Sequence, residues 1–347
     1  MKKYFFLLLL ATVSLLVNAQ DKTDKQPYLA KSFSGESINK VMAETTGGNI
    51  SVTGVDPKDS RVEVFVSQND NKKNSLNSDE IATKVNADYD LDVSVKNNEL
   101  TVTAKPKHKI TDWKKSLNFS FKIYVPGNAA TDLTTSGGNI SLANLSGDKK
   151  FVTSGGNLNL ESLKGKTKGS TSGGNINLAN SKDDIDLATS GGNINAEKSS
   201  GNITITTSGG SINMEDLSGK INASTSGGNV EGEGIGGDLK ASTSGGNVSL
   251  HNLTCALNAG TSGGNIDVSI KTLSDHVSIN NSAGNVTLEI PKNTGMNLKF
   301  TGMKISIPKL ENFSGTGSNE ELKGTISGGG IPVTVDAGSG KINVVFN

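Results

Sequence analysis

Thr135-Ser136-Gly137-Gly138-Asn139-Ile140-Ser141-Leu142 decides the fold, because the chain returns to this pattern every 18 residues. The opening Thr-Ser-Gly-Gly recurs at Thr153, Thr171, Thr189, Thr207, Thr225, Thr243 and Thr261, and the next residue is Asn in every copy except at Ser211. A short fixed period with an apolar residue just after a turn is the mark of a solenoid. One coil cannot bury its own apolar face, but a stack of coils makes a continuous core.

Numbered from its Thr, each repeat gives columns that should stack. Position 6 is aliphatic throughout: Ile140, Leu158, Ile176, Ile194, Ile212, Val230, Val248 and Ile266. Position 8 reads Leu142, Leu160, Leu178, Ala196, Met214, Gly232, Leu250 and Val268. Side chains alternate along a strand, so positions 6 and 8 share one face. Position 11 is mostly Leu or Ile and position 13 mostly Gly; positions 15 and 17 are apolar in the middle copies, as in Ile203 and Ile205. Each repeat therefore predicts two short strands with small-residue corners. The expected class is all-β, a parallel β-helix or solenoid with 18-residue rungs. Its crossovers are expected to be right-handed, and its length on the order of 40 Å at the strand spacing of a sheet. Two readings attach to the Thr-Ser-Gly-Gly-Asn corner. The paired glycines are expected to take positive φ in a sharp turn. The Asn is expected to join its amide to the equivalent amide one rung away.

The ends depart from the period. Residues 1–19 read as a secretory signal peptide, from Lys2 and Lys3, the apolar run Phe5 to Val17 and the small exit Val17-Asn18-Ala19. Residues 20–40 are expected to be a flexible lead-in. Residues 41–134 read as an N-terminal β cap, with alternating strands, a hairpin turn at Asn97-Asn98 and a polar loop over 70–78. Thr46-Gly47-Gly48-Asn49-Ile50 looks like a first, degenerate rung. The regular array occupies 135–281. From 282 to 347 the rungs become irregular, with Ser327-Gly328-Gly329-Gly330 and Gly338-Ser339-Gly340-Lys341-Ile342 as the last two and an exposed loop over 311–323.

Composition excludes several functions. Lys plus Arg and Asp plus Glu both number 34, so no large field draws the chain to nucleic acid or anionic lipid. All but one of the cations are Lys; Arg61 is the single guanidinium, and bidentate capture of phosphate is not expected. The single Cys255 can form no internal disulfide and reads as a small inward residue at position 13. The leader and the absence of a later membrane-spanning run predict an exported protein at the cell surface, in a periplasm or secreted, with no transmembrane segment in the mature chain.

Catalysis needs convergent ionisable groups. The sequence offers His108, His251 and His276 with no metal-binding pair, and Asp183, Asp184 and Asp186 far along the chain from Arg61. No catalytic residue, metal or cofactor is expected. Two features are candidates for ligand binding. Position 9 reads Ala143, Glu161, Ala179, Glu197, Glu215, Glu233, His251 and Ser269, which files Glu197, Glu215, Glu233 and His251 along one edge. That edge is either solvated and relieved by Lys198 or Lys220, or a place where a cation binds. The second is Trp113, the single Trp, set among Lys105, Lys107, His108, Lys109, Lys114 and Lys115. It either covers the cap or stacks on a sugar or an acidic surface.

Tyr124-Val125-Pro126 before the first full repeat, the Ser-Gly-Gly-x-Ile rungs, and Val286-Thr287-Leu288-Glu289-Ile290-Pro291 after the last occur in order. Over about 40–347 this arrangement resembles the bacterial putative-adhesin β-solenoid family, a toastrack-like domain of unknown function. The resemblance implies an exported, non-catalytic β-solenoid, with no functional residues to carry over. The expected role is a cell-surface adhesin or structural binding module whose partner is a surface glycan or protein. The alternatives are an envelope sensory or scaffold domain that binds a partner protein and, third, a carbohydrate-active β-helix enzyme.

Overall fold

A computed structural model describes residues 26–69, 76–109, 116–292, 294–309 and 311–347; residues 1–19 of the expected leader lie outside them. The repeats wind into two facing sheets of parallel strands. In the first sheet Ile140 pairs with Leu158, Leu158 with Ile176, Ile176 with Ile194, and so on to Val248 and Ile266, each step one repeat. The second sheet carries the end of each repeat in the same register, Ile185 on Ile203, Ile203 on Ile221 and Ile221 on Leu239. Positions 6, 8, 15 and 17 point between the sheets and are buried. Each buried aliphatic contributes roughly 1.5–3 kcal/mol, so cohesion is spread evenly along the rod. The expected all-β solenoid with 18-residue rungs is the fold.

Odd residues in the columns are compensated by neighbours. Phe151 fills the space above Gly169, where an added Cβ would lie 1.9 Å from its ring. Ser181 and Ser199 replace Leu at position 11 and are fully bonded. Ser181 Oγ donates to the Ala179 carbonyl at 2.8 Å and accepts from the Leu163 N–H at 3.1 Å. Ser199 Oγ repeats this with Glu197 and Ser181.

The corner works differently from the expectation. The paired glycines are absent from the positive-φ set; the second of each pair is required by contact. A Cβ on Gly192 would lie 2.0 Å from the carbonyl oxygen of Gly174 one rung below. The first of the pair has ordinary room, and Ala283 takes its place in a later rung. Positive φ belongs to the opposite corner, at Gly201, Gly219 and Gly237 of position 13 and at Asn144, Ser162, Asn180, Lys198, Asp216, Gly234 and Asn252 of position 10. The corner Asn also bonds otherwise than expected: its side-chain oxygen accepts the next rung's backbone N–H, as Asn157 N to Asn139 Oδ1 and Asn175 N to Asn157 Oδ1, both 2.8 Å. Ser211 keeps the chain of bonds intact, its hydroxyl accepting from Asn229 N at 3.2 Å.

Both ends hold whole rungs separated by insertions. Ile50–Val55 lies beside Ile140–Ala143 in parallel register, so the degenerate motif is a true rung, and Asn139 N donates to Asn49 Oδ1 across 90 residues of sequence. The insertion extends both sheets. Leu117–Pro126 and Arg61–Gln68 continue the first; the hairpin Tyr89–Lys96 and Glu99–Pro106 continues the second, turning at Asn97 and Asn98 with φ of 51° and 61°. Two corrections follow. Leu29–Ser32 of the expected flexible lead-in is an edge strand antiparallel to Arg61–Val64, with Phe33 and Ile38 buried behind it. Ser78, assigned to a polar loop, begins the helix Ser78–Asp88, whose N-terminus is closed by Asn77 and Glu80.

At the other end the period lengthens to 20, and Asn281 stands where Thr would be, its Nδ2 donating to the Gly264 carbonyl at 2.9 Å. The final rung, Lys341–Phe346, stacks on Val286–Ile290. Between them, the expected exposed loop over 311–323 holds the strand Phe313–Gly317 and the start of its antiparallel partner Glu321–Ile326. Ser327 to Gly330 is a turn with positive φ leading into Ile331–Asp336, not a rung.

Candidate binding groove

Outward-facing positions 7 and 9 of the first sheet are two residues apart on every strand, so they rise as parallel ridges with peptide groups between them. The channel they bound has a volume of about 890 Å³ and runs from Ser51 to His251. Sequence reading found one ridge and missed the other. The missed ridge is position 7, where Asn177 Nδ2 donates to Asn159 Oδ1, Asn195 to Asn177 and Asn213 to Asn195, at 3.0, 3.0 and 2.9 Å. This is the amide ladder expected at the corner, displaced by two residues. The signal was present as Asn at both positions 5 and 7 of the middle repeats.

The opposite ridge is position 9. Glu197 sits beside Glu215, Glu215 beside Glu233 and Glu233 beside His251 in parallel register, so the file is real. The ridge also contains Glu161, and Glu231 closes the amide side. Among the described residues none of these five carboxylates is in an ion pair, with Lys198, Lys220 or any other cation. Some are steadied by amides: Asn180 Nδ2 donates to Glu161 Oε1 at 2.8 Å, and Asn252 Nδ2 donates to Glu233 Oε1. His251 Nε2 shares a hydrogen bond with Ser249 Oγ at 2.9 Å. Among the described residues no Lys or Arg lines the channel. Among the described residues no three His, Cys, Asp or Glu converge to hold a metal ion.

The other candidates divide. Trp113 lies outside the described residues. Of its basic surroundings, Lys105 pairs with Glu44 at 2.7 Å and Lys107 Nζ donates to the Asn86 carbonyl at 2.7 Å, so both are tied to the cap. Arg61 stacks on the Tyr124 ring at 3.6 Å and pairs with Glu63. The three aspartates are engaged one by one: Asp183 accepts from Gly165 N, Asp184 from Asn202 and Asp186 from Lys168. Cys255 is buried, and burial, followed by nearby Asp238, pushes its thiol up to about 12. A thiol held protonated in this way is no nucleophile.

Sequence reading also missed Lys149. It stands at position 15, where later rungs have Thr167, then Ile185, Ile203 and Ile221, and is buried between Thr131 and Thr167 of the adjacent rungs. Its Nζ donates to the carbonyls of Gly147 and Lys164. Burial pushes its pKa down to about 8 against the opposing pull of Asp148 and Asp183.

Residues 179–345 match the model of the family Toastrack DUF4097, a narrower span than the motifs mark out. Two solved structures are similar over most of their length. One is described as a putative cell adhesion protein from Clostridium sporogenes, with 13% identity, 91% of this chain and 97% of that chain covered, and a TM-score of 0.21. The other is described as a putative adhesin from Bacteroides fragilis, with 16% identity, coverage of 91% and 96%, and a TM-score of 0.25. No curated protein matches the chain.

Proposed function

Guided by the match of residues 179–345 to the toastrack family model, we propose that this chain is a non-catalytic solenoid that works outside the cytoplasm as an adhesive or structural binding module, with its ligand lying along the groove. The observation that carries this reading is the groove itself: about 890 Å³ of open channel whose amides and carboxylates recur rung after rung. Catalysis concentrates unlike groups around one reacting atom. A channel that repeats the same groups instead suits an extended ligand gripped at many equivalent points, each weak and together selective. Among the described residues no helix is long and apolar enough to cross a membrane.

The test is an array of surface glycans and matrix proteins, exposed to the purified chain with and without calcium. The same array is run with the triple variant E197Q/E215Q/E233Q and with W113A. A ligand captured by the native chain and released by the triple variant supports the reading. Release of reducing or unsaturated ends from any captured polysaccharide would replace it with an enzymatic one. Capture of nothing would favour a scaffold that recognises a partner protein in the envelope.

A further inference from the structure

The groove has a sign as well as a shape. Glu161, Glu197, Glu215, Glu231 and Glu233 line it with no Lys or Arg beside them among the described residues, in a chain that has as many cations as anions. Like charges one strand apart, at about 4.8 Å, oppose one another. No described cation pairs with them, and Asn amides answer only Glu161 and Glu233, so most of the repulsion is left for a ligand to relieve. Resting on the binding reading above, we infer that the occupant is an extended cationic polysaccharide, a polymer of amino sugars whose amines are at least partly free. Its amines would lie along the carboxylate ridge and its hydroxyls along the amide ladder.

Three observations favour a sugar chain over a Lys-rich peptide. The groove crosses the middle of a sheet whose backbone groups are already paired on both sides, so a peptide could not add a strand there. An extended peptide advances about 3.3 Å per residue and presents one face every second residue, out of step with carboxylates about 4.8 Å apart. A sugar ring in an extended chain spans about one strand spacing, so every ring, or every second ring where alternate rings are flipped, sets an amine over a rung. Finally, the inner ladder amides, Asn177 and Asn195, each spend one N–H and one oxygen lone pair on their neighbours and keep another of each for a ligand, while Asn159 only accepts and Asn213 only donates along the ladder. Hydroxyls, which donate and accept, suit such a row better than ammonium groups alone.

The experiment measures binding of the whole chain to three soluble probes of matched length: an oligomer of glucosamine, its fully N-acetylated form, and oligolysine. The expected result is that the free-amine oligomer binds and the N-acetylated one binds at least about tenfold more weakly. The complex should also weaken with salt and dissociate when the pH passes above the amine pKa. E197Q/E215Q/E233Q should lose about tenfold, the worth of three screened charge pairs, while unfolding no earlier than the native chain. N195A/N213A, which leaves the charge untouched, should lose affinity for the sugar and none for oligolysine. Equal binding of the N-acetylated oligomer, equal or tighter binding of oligolysine, or full binding by the glutamine variant would overturn the inference. If the array finds a neutral or anionic ligand that depends on the groove, this inference falls and the binding reading stands. If nothing binds, both fall.

Discussion

Thr189 Oγ donates to the carbonyl of Gly174 in the rung below at 2.8 Å, and accepts from the N–H of Gly192 in its own rung at 3.3 Å. The same stitch joins Thr153 to Gly138, Thr171 to Gly156 and Thr207 to Gly192, so one hydroxyl per rung satisfies a buried carbonyl and a buried amide. Replacing it with a methyl keeps the volume and removes the bonds. Thr189→Val is expected to cost about 1–3 kcal/mol, the penalty of stranding buried polar groups, and Thr189→Ser much less. Denaturant midpoints of the two variants measured side by side check this; equal midpoints would show the hydroxyl to be dispensable.

The two glycines of a corner should respond oppositely to the same methyl group. At Gly192 an added Cβ would lie 2.0 Å from the Gly174 carbonyl oxygen, which backbone alone could relieve by parting the rungs. Gly192→Ala is expected to cost at least about 3 kcal/mol or to prevent folding. At Gly191 the nearest atom would be 3.7 Å away. Gly191→Ala is therefore expected to be neutral or to stabilise by up to about 1 kcal/mol, through a less flexible unfolded chain. Thermal unfolding of the pair decides it.

This contrast also marks how far the sequence could be read. The period, the register of Ile194 over Ile176 and the burial of positions 6, 8, 15 and 17 followed from repetition alone, since equivalent residues in a stack have equivalent surroundings. What repetition conceals is which of several repeated residues performs which task. Gly192 recurs because of the rung beneath it, a contact 18 residues away in sequence that leaves no local trace. The amide ladder was assigned to Asn193 instead of Asn195, because both columns are Asn and only the direction of the side chain separates them. The groove was half visible: charge drew attention to Glu197, while the amide ridge opposite passed as ordinary strand. Off the array the errors were of another kind. Asn77 and Glu80 form a capping box that announces the helix Ser78–Asp88, but the polar run before it read as loop. The pair Phe313–Gly317 and Glu321–Ile326 is short and interrupted by Gly, its first strand is mostly exposed, and only Leu322 and Ile326 of the second are buried, too few to declare it by alternation.

Glu197, Glu215 and Glu233 should carry a small, salt-dependent penalty when no ligand is present. They are adjacent in register and in no ion pair among the described residues, and only Glu233 has an amide donor, Asn252. Neutralising all three with Gln removes the repulsion and lets the new amides bond along the file. Each facing pair is worth roughly 0.2–1 kcal/mol. The triple variant is expected to unfold at a higher temperature than the native chain in dilute buffer, and at nearly the same temperature in molar salt, where screening acts over about 3 Å. A lower melting temperature in dilute buffer would mean that the carboxylates have stabilising partners.

Lys149 should make the fold more stable as the solution becomes alkaline. Its amine ionises near 10.5 in an ordinary setting and at about 8 when buried between Thr131 and Thr167. Between these two values the unfolded chain binds the proton that the folded chain has released, so stability rises with pH across that window. Below it both states are protonated and the fold bears the whole cost of an ionised, buried amine, at most about 3 kcal/mol. The carbonyls of Gly147 and Lys164 accept its hydrogen bonds in compensation, so the site is tolerated rather than favourable at neutral pH. Lys149→Met fills the column with an apolar chain of similar length, like the Ile185 that occupies it two rungs on. Its stability at neutral pH is expected to stay within about 1–2 kcal/mol of native, because lost hydrogen bonds and relieved desolvation oppose each other. The difference between the native chain and the variant, followed by denaturant titration from neutral to strongly alkaline pH, isolates this one amine from the other lysines. It should grow in favour of the native chain through the window and level off above it. A difference that stays flat, or runs the other way, would place a protonated amine in the core and require a carboxylate to hold it there.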